Sequence, residues 1–458
     1  MNEKPSRKNF RQRLEHVIET LRNDIISRKY KPGDFLPSEE SLSQHFKLSN
    51  KSLRKGLEVL VEEGLIEKIP RVGNRVTEAA ESLRVTLKLA CRSVIVKQVG
   101  LQTLLDQFKN KYPNIDVQLI NLDYQNYYKT TKSLMETGML DVLMLNFQEF
   151  QEFMEADQHH FFAETEANPN IYPFLNQAFT IEDKQYAQPF TFSPVILCFN
   201  KKHLQENGIY EPDSSWDWHV LMQHAEKLTE ENRRYGFYFN SLSENRWFVF
   251  WLQKQIKFNR KNGTYEYSRE KLKEALTLCR DLIYNKQNAP KFVAESENEV
   301  LQLFSQEKTS MIMTTYFAIN MLEDVNFPYD IAPLPALDTA ETLLLPIGWA
   351  INKHSQQLAS AKLLIDYFTS QEAQEMIFRR TLSLPALRTA EIGEDDPLER
   401  PSRFFMYKEI MPTFRLFSDS GIPQSKLKRI RNELKYFWFQ MEDVDQACER
   451  IDKVLAEE

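Results

Sequence analysis

Apolar residues recur at three- and four-residue spacing through Leu14, Val17, Ile18, Leu21 and Ile25, which predicts a helix with one apolar face. Pro32-Gly33 turns the chain after it. Ser38 suits an N-cap, with Glu39 and Glu40 in the first turn where the helix dipole favours negative charge, and Leu42 and Phe46 supply a short inner face. Lys47-Leu48 is a tight connection. Ser49 can cap a third helix that carries Leu53, Leu57 and Leu60 inward, while Asn50, Lys51, Ser52, Arg54 and Lys55 fall in its outward or N-terminal part. Gly64 ends that helix, and residues 66–69 and 75–77 read as short strands joined through Arg71-Val72-Gly73-Asn74. Three helices and a hairpin make a winged helix-turn-helix, which reads DNA.

Beyond residue 82 the pattern changes. Residues 83–90 alternate as a strand, 101–112 form an amphipathic helix stopped by Pro113, and 115–122 form a second strand. Residues 127–135 read as a helix ended by Gly138, and 140–145 as an apolar third strand. Strand-helix-strand-helix-strand predicts a parallel α/β sheet with right-handed crossovers. Ligands in such sheets sit beyond the carboxyl ends of strands, which nominates residues 91–93 and 146–149.

Charge supports the division. Residues 1–80 hold 16 Lys+Arg and 12 Asp+Glu, a net of +4; the remaining 378 residues hold 42 and 53, a net of −11. A basic head on an acidic body implies that nucleic acid is met by the head alone. The 458 residues suffice for a small domain and a large two-lobed one with ample core. The first thirty residues contain no apolar signal-peptide core and no apolar run reaches membrane-spanning length, so the chain is expected in the cytoplasm without membrane contact. Cys91, Cys198, Cys279 and Cys448 are scattered and read as buried thiols.

Enzyme signatures are missing. Twelve glycines, the closest two eight residues apart at Gly56 and Gly64, exclude both GxGxxG and GxxxxGK[ST], and HExxH and GxSxG are absent. His159-His160 directs its rings apart in a helix or strand and makes a poor metal site. Neither enzyme activity nor a cofactor is expected.

The head resembles the GntR family of bacterial regulators, through PGDFLPSEE, SNKSLRKGLEVLVEEGLIEK and the wing RVGNRV. The resemblance covers residues 10–77. It implies operator DNA as partner, a homodimer on a palindromic site, and contacts from Ser38, Asn50, Lys51, Ser52, Arg54, Lys55, Arg71 and Arg75. Asn50 stands where the family usually has Arg and Gly56 where it has Ala; Asn reads adenine bidentately, so the operator is expected to differ from the common family site.

The body, residues 83–458, is similar to the type II periplasmic-binding-protein fold, specifically the solute-binding proteins of sugar ABC importers. The matching segments include FKNKYPNIDVQLI, TGMLDVLMLN, LFSQEKTSMIMTTYFAI, YDIAPLPAL, LLPIGWAINKHSQQLASAKLLIDYFTSQEAQ and KEIMPTF. The fold class implied is α/β: a small N-terminal winged helix-turn-helix plus a two-lobed type II periplasmic-binding-protein-like domain, its crossovers near residues 189–195 and 331–335. By position in the family, Tyr316 and Trp349 are expected to stack on a sugar ring, with Phe147, Glu149, Glu244, Arg246, Trp247 and Arg388 around it. The combination implies a transcription factor whose small-molecule effector is a mono- or oligosaccharide. Two other readings stay open: a component of sugar uptake, and a regulator with a non-sugar effector. A fused pyridoxal-phosphate enzyme is a third class, contradicted by the strand order.

Overall fold

The computed structural model describes residues 7–26, 29–81, 84–122, 126–284, 294, 296–322, 325–393, 396 and 398–457. The head contains helices α1 (Arg7–Ile26), α2 (Glu39–Phe46) and α3 (Asn50–Glu62) and an antiparallel hairpin of β1 (Ile66–Ile69) and β2 (Gly73–Val76). Val17, Leu21 and Ile25 of α1 meet Leu42, Leu53, Leu57 and Leu60 in one apolar core, closed below by Leu65, Ile66 and Val76. The predicted caps form: the Ser38 and Ser49 hydroxyls accept from Ser41 N and Ser52 N at 3.1 and 3.2 Å. Each such cap is worth about 1 kcal/mol. Gly64 follows α3 at φ +73°, the left-handed stop that glycine adopts without penalty. Gly56 sits where a Cβ would meet Leu14 Cδ1 at 3.2 Å and Ile18 Cγ1 at 3.3 Å, so its missing side chain lets α1 and α3 approach closely.

The body is built from β3 (Val85–Arg92), α4 (Leu101–Lys111), β4 (Ile115–Leu122), α5 (Tyr127–Glu136), β5 (Val142–Asn146) and α6 (Phe147–Glu155), then the long β6 (Gln188–Asn200). There follow β7 (Tyr235–Tyr238), α7 (Glu244–Gln253), α8 (Glu297–Ser305), β8 (Thr309–Thr315), β9 (Tyr329–Ala332) and β10 (Thr342–Ile351). Helices α9 (Leu358–Phe368), α10 (Gln371–Arg380), α11 (Gln424–Trp438) and α12 (Val444–Ala456) complete the elements that matter here. The strand order is β4-β3-β5-β10-β6-β8-β7, with β9 also on β6. As predicted, β3 is parallel to both β4 and β5.

Strand β6 carries the chain between lobes. Residues 188–194 pair with β10 of the first lobe, and residues 195–200 pair with β8 and β9 of the second, with all thirteen side chains buried. A strand buried on both faces reads as the near-continuous apolar run seen here. Of residues 331–335, Ile331 and Ala332 end β9, paired with Cys198 and Leu197 of β6, and 333–335 follow it. All four cysteines are free and buried.

The linker expected at residues 77–82 is described as far as residue 81; Ser82 and Leu83, where the body was expected to begin, lie outside the described residues, as does Glu458. Helix α1 nevertheless touches both domains. Ile25 joins the head core, while the adjacent Ile26 joins the first-lobe core with Val85, Val99 and Leu364, and α1 lies against α9.

Candidate functional site

On the head, the first turns of α3 and the wing tip each present exposed polar side chains. Asn50, Lys51, Arg54, Lys55 and Arg71 are exposed, and Arg71 holds φ +66° at the tip beside Val72, itself 65% exposed. Arg54 Nε donates to Glu39 Oε2 at 2.6 Å, which, with Lys68 nearby, holds the Glu39 carboxyl below its usual range. Arg75 grips Glu67 of the facing strand at 2.6 and 2.9 Å. A phosphate would compete with Glu39 and Glu67 for these two guanidiniums, whereas Lys51, Lys55 and Arg71 project outward. One expected contact is corrected. Ser52 is only 9% exposed and its hydroxyl is bonded to that of Ser49 at 2.8 Å, so it stabilises the helix start instead of facing DNA. The exposed Ser38 hydroxyl accepts its cap bond from Ser41 N, which engages its lone pair and not its O–H.

In the body, the two nominated loops do meet. Arg92, at the end of β3, forms a fully buried ion pair with Glu149 in the first turn of α6 and stacks its guanidinium 4.8 Å from the Tyr127 ring centroid. Tyr127 O–H donates to Met144 O at 2.6 Å. Glu149 also closes a capping box, accepting from Asn146 N at 3.0 Å while Asn146 Oδ1 accepts from Glu149 N at 2.8 Å. Both carboxylate oxygens are thereby engaged. The expectation that Glu149 binds a solute directly is corrected: it positions Arg92 and α6.

Opposite stands the start of α7. Glu244 accepts from Gln148 Nε2 at 3.2 Å and from Arg431 Nη1 at 3.0 and 3.1 Å, joining α6, α7 and α11. Trp247 is buried against Trp251 at a centroid distance of 5.0 Å. Its indole N–H and the Asn245 side-chain oxygen have no hydrogen-bond partner among the described residues. Buried polar atoms are rarely left so. Arg246 belongs elsewhere: it is buried, pairs with Glu297 of α8 at 2.8 Å and donates to Met313 O at 3.2 Å, and Thr314 O–H donates to the same carboxylate at 2.8 Å. Its charge is spent on holding α7 to β8.

The two aromatic expectations are also corrected. Tyr316 is 0% exposed, enclosed by Phe404 and Tyr407, and its O–H donates to Phe404 O at 2.9 Å; burial pushes its pKa well up. Trp349 is 0% exposed between Phe190 at 5.5 Å and Phe368 of α9 at 5.1 Å. Neither ring offers a free face. Phe147 is buried in the main core, and Arg388 is exposed at another edge, donating to Pro169 O at 2.9 Å. Sequence reasoning named Asn245 beside Glu244, reached Arg92 and Gln148 only as members of the nominated loops, and missed Arg431. Arg92 lay within a nominated loop; Arg431 sits on a long basic helix with no motif to mark it.

Comparison with known proteins agrees with this architecture. Residues 103–400 match the model of the bacterial extracellular solute-binding protein family, and residues 13–76 that of the bacterial regulatory proteins of the gntR family. A binding protein of Brucella abortus is 25% identical over 182 residues, covering 38% of this chain and 41% of its own length. The HTH-type transcriptional regulator YieP of Escherichia coli is 34% identical over 64 residues, 14% of this chain and 28% of its own. The chain thus spans well under half of these curated relatives.

Among solved structures, the GacH receptor of Streptomyces glaucescens, determined unliganded and with acarbose, superposes with a TM-score of 0.71 at 16% identity, covering 82% of this chain and 99% of that one. The substrate-binding protein Lmo0181 of Listeria monocytogenes, in complex with cycloalternan, gives 0.70 at 18% identity over 81% and 98%. Maltose-bound MalE3 of T. maritima gives 0.70 at 18% identity over 81% and 99%. At such identities the likeness establishes the fold. Among the described residues no helix is long and apolar enough to cross a membrane. With the greater part of its length inside one family model and its head inside another, the chain belongs to the bacterial extracellular solute-binding protein family and carries an N-terminal gntR-family DNA-binding domain.

Proposed function

We propose that the chain is a cytoplasmic, ligand-responsive transcriptional regulator: the winged helix binds operator DNA as a homodimer, and the cleft binds a small carbohydrate whose occupancy alters that binding. The observation that carries this reading is the sharing of α1, with Ile25 in the head core and Ile26 in the first-lobe core. A lobe movement is thereby transmitted to the recognition helix through packed side chains, and a solute acts by its differential affinity for the two lobe arrangements. The sugar class is supported by fold neighbours solved with acarbose, cycloalternan and maltose. The partly exposed Asn245, whose side-chain oxygen has no partner among the described residues, stands beside Glu244 and Arg431 and suits hydroxyl recognition.

The test pairs a thermal-shift screen over mono- and oligosaccharides with operator binding by the full chain. A sugar that raises the melting temperature and changes operator affinity is the expected result; no melting shift from any sugar would refute the carbohydrate reading, and an unmodulated operator complex would refute the switch. An uptake role, favoured by the extracellular family description, predicts recovery from outside the cell membrane on fractionation.

Operator contacts are assigned by the same reading to Asn50, Lys51, Lys55 and Arg71, with Arg54 and Arg75 recruited from their carboxylate partners. Lys51→Ala and Arg71→Ala are each expected to weaken binding uniformly across operator sequences and to reduce the slope of log affinity against log salt by about 0.9, the release of one phosphate's counterion. Asn50→Arg is expected to change which base is preferred without changing that slope much. Titrations at several salt concentrations separate the two behaviours.

A further inference from the structure

Helix α6 of the first lobe and helix α11 of the second face each other along three successive turns. Gln148, Glu152 and Glu155 stand on one stripe of α6, and Arg431, Lys428 and Gln424 on the matching stripe of α11 read in reverse, so the helices run antiparallel. At the inner end Gln148 and Arg431 share the Glu244 carboxylate. One turn outward, Glu152 forms an ion pair with Lys428, its own side chain 9% exposed. At the rim, Glu155 accepts from the backbone N–H groups of Gln424 at 2.5 Å and Ser425 at 3.0 Å. Those are orphan donors at a helix start, where the dipole favours an anion.

The two helices belong to different lobes by their packing. Helix α6 lies on β5 and β10, whereas α11 packs with α12, which packs on the helix Arg269–Tyr284 that lies against β7 of the second lobe. Each rung of the ladder therefore spans the cleft, and each joins groups of the same chain. The two inner rungs, whose Glu244 and Glu152 carboxylates are largely buried, are screened less by salt than the exposed Glu155 at the rim.

We propose that the α6–α11 ladder is a clasp that keeps the lobes closed with the protein's own side chains, so that the closed body is the resting state from which the regulator works. The clasp stands on the geometry alone; its effect on DNA rests on the regulator reading above.

The experiment uses the full chain, without added solute, carrying spin labels at Met139→Cys on the first lobe and Tyr210→Cys on the second, both exposed positions. The native cysteines are buried and stay unlabelled. The clasped protein should give one narrow interlobe distance. Glu152→Lys with Glu155→Lys should lengthen and broaden it, and adding Lys428→Glu should bring back the short distance by restoring the middle rung with reversed signs. A distance unchanged by the α6 reversal, or one that the added Lys428→Glu fails to shorten, overturns the clasp. Operator affinity of the same proteins addresses the other reading: a lengthened distance with unaltered operator affinity upholds the clasp and counts against the regulator.

Discussion

Trp349→Ala should destabilise the body by about 3–5 kcal/mol, the cost of emptying a fully buried indole site in a packed core. The ring lies between Phe190 and Phe368, and Ile347, Trp349 and Ile351 of β10 share the cluster that α9 covers with Leu364 and Ile365. Urea unfolding followed by tryptophan fluorescence reads the loss as a lowered midpoint for the body's transition. A stacking role in the cleft makes the opposite forecast: sugar binding lost, midpoint unmoved. Observing that pair of results would return Trp349 to the ligand site.

The second large effect concerns the buried pair at the cleft's first-lobe wall. Glu149→Ala leaves the Arg92 guanidinium enclosed without its carboxylate, which costs about 3–5 kcal/mol, and it removes half of the capping box that starts α6. Removing both charges is expected to cost much less than the sum of the single changes, because the penalty lies in the unpaired charge and not in the missing attraction. The double-mutant cycle with Arg92→Leu and Glu149→Gln therefore carries a large coupling energy. Additive single effects would mean that Arg92 and Glu149 do not depend on each other.

Much of this molecule was legible locally. The head's helices follow the spacing of Leu14 to Ile25 and of Leu53 to Leu60, the caps at Ser38 and Ser49 form as read, and Gly64 stops α3 at positive φ. Each depends on interactions within a few residues. The parallel arrangement of β3, β4 and β5 follows from the helices between them, since parallel neighbours need a crossover. The loops at the carboxyl ends of β3 and β5 were nominated on the same topological ground, and they do adjoin, through Arg92 and Glu149.

The candidate cleft was legible only as a region. Period-two alternation places Trp349 with Ile347 and Ile351 on one face of β10 and Ala350 on the other, but alternation does not say which face looks into the cleft. Layering decides that. Tyr316 is withdrawn by Phe404 and Tyr407, which lie about ninety residues downstream, and Arg246 by Glu297, some fifty residues away. Such partners leave no trace in the local pattern.

The sequence by itself determined the two-domain composition, the winged helix with its basic face, and the α/β body, because periodicity, caps and turn residues act over short distances. Only the tertiary structure decided which polar side chains face the cleft and which are consumed as struts. A charge or aromatic ring serves a ligand only where no partner from another element has enclosed it, and that depends on contacts between residues far apart in the chain.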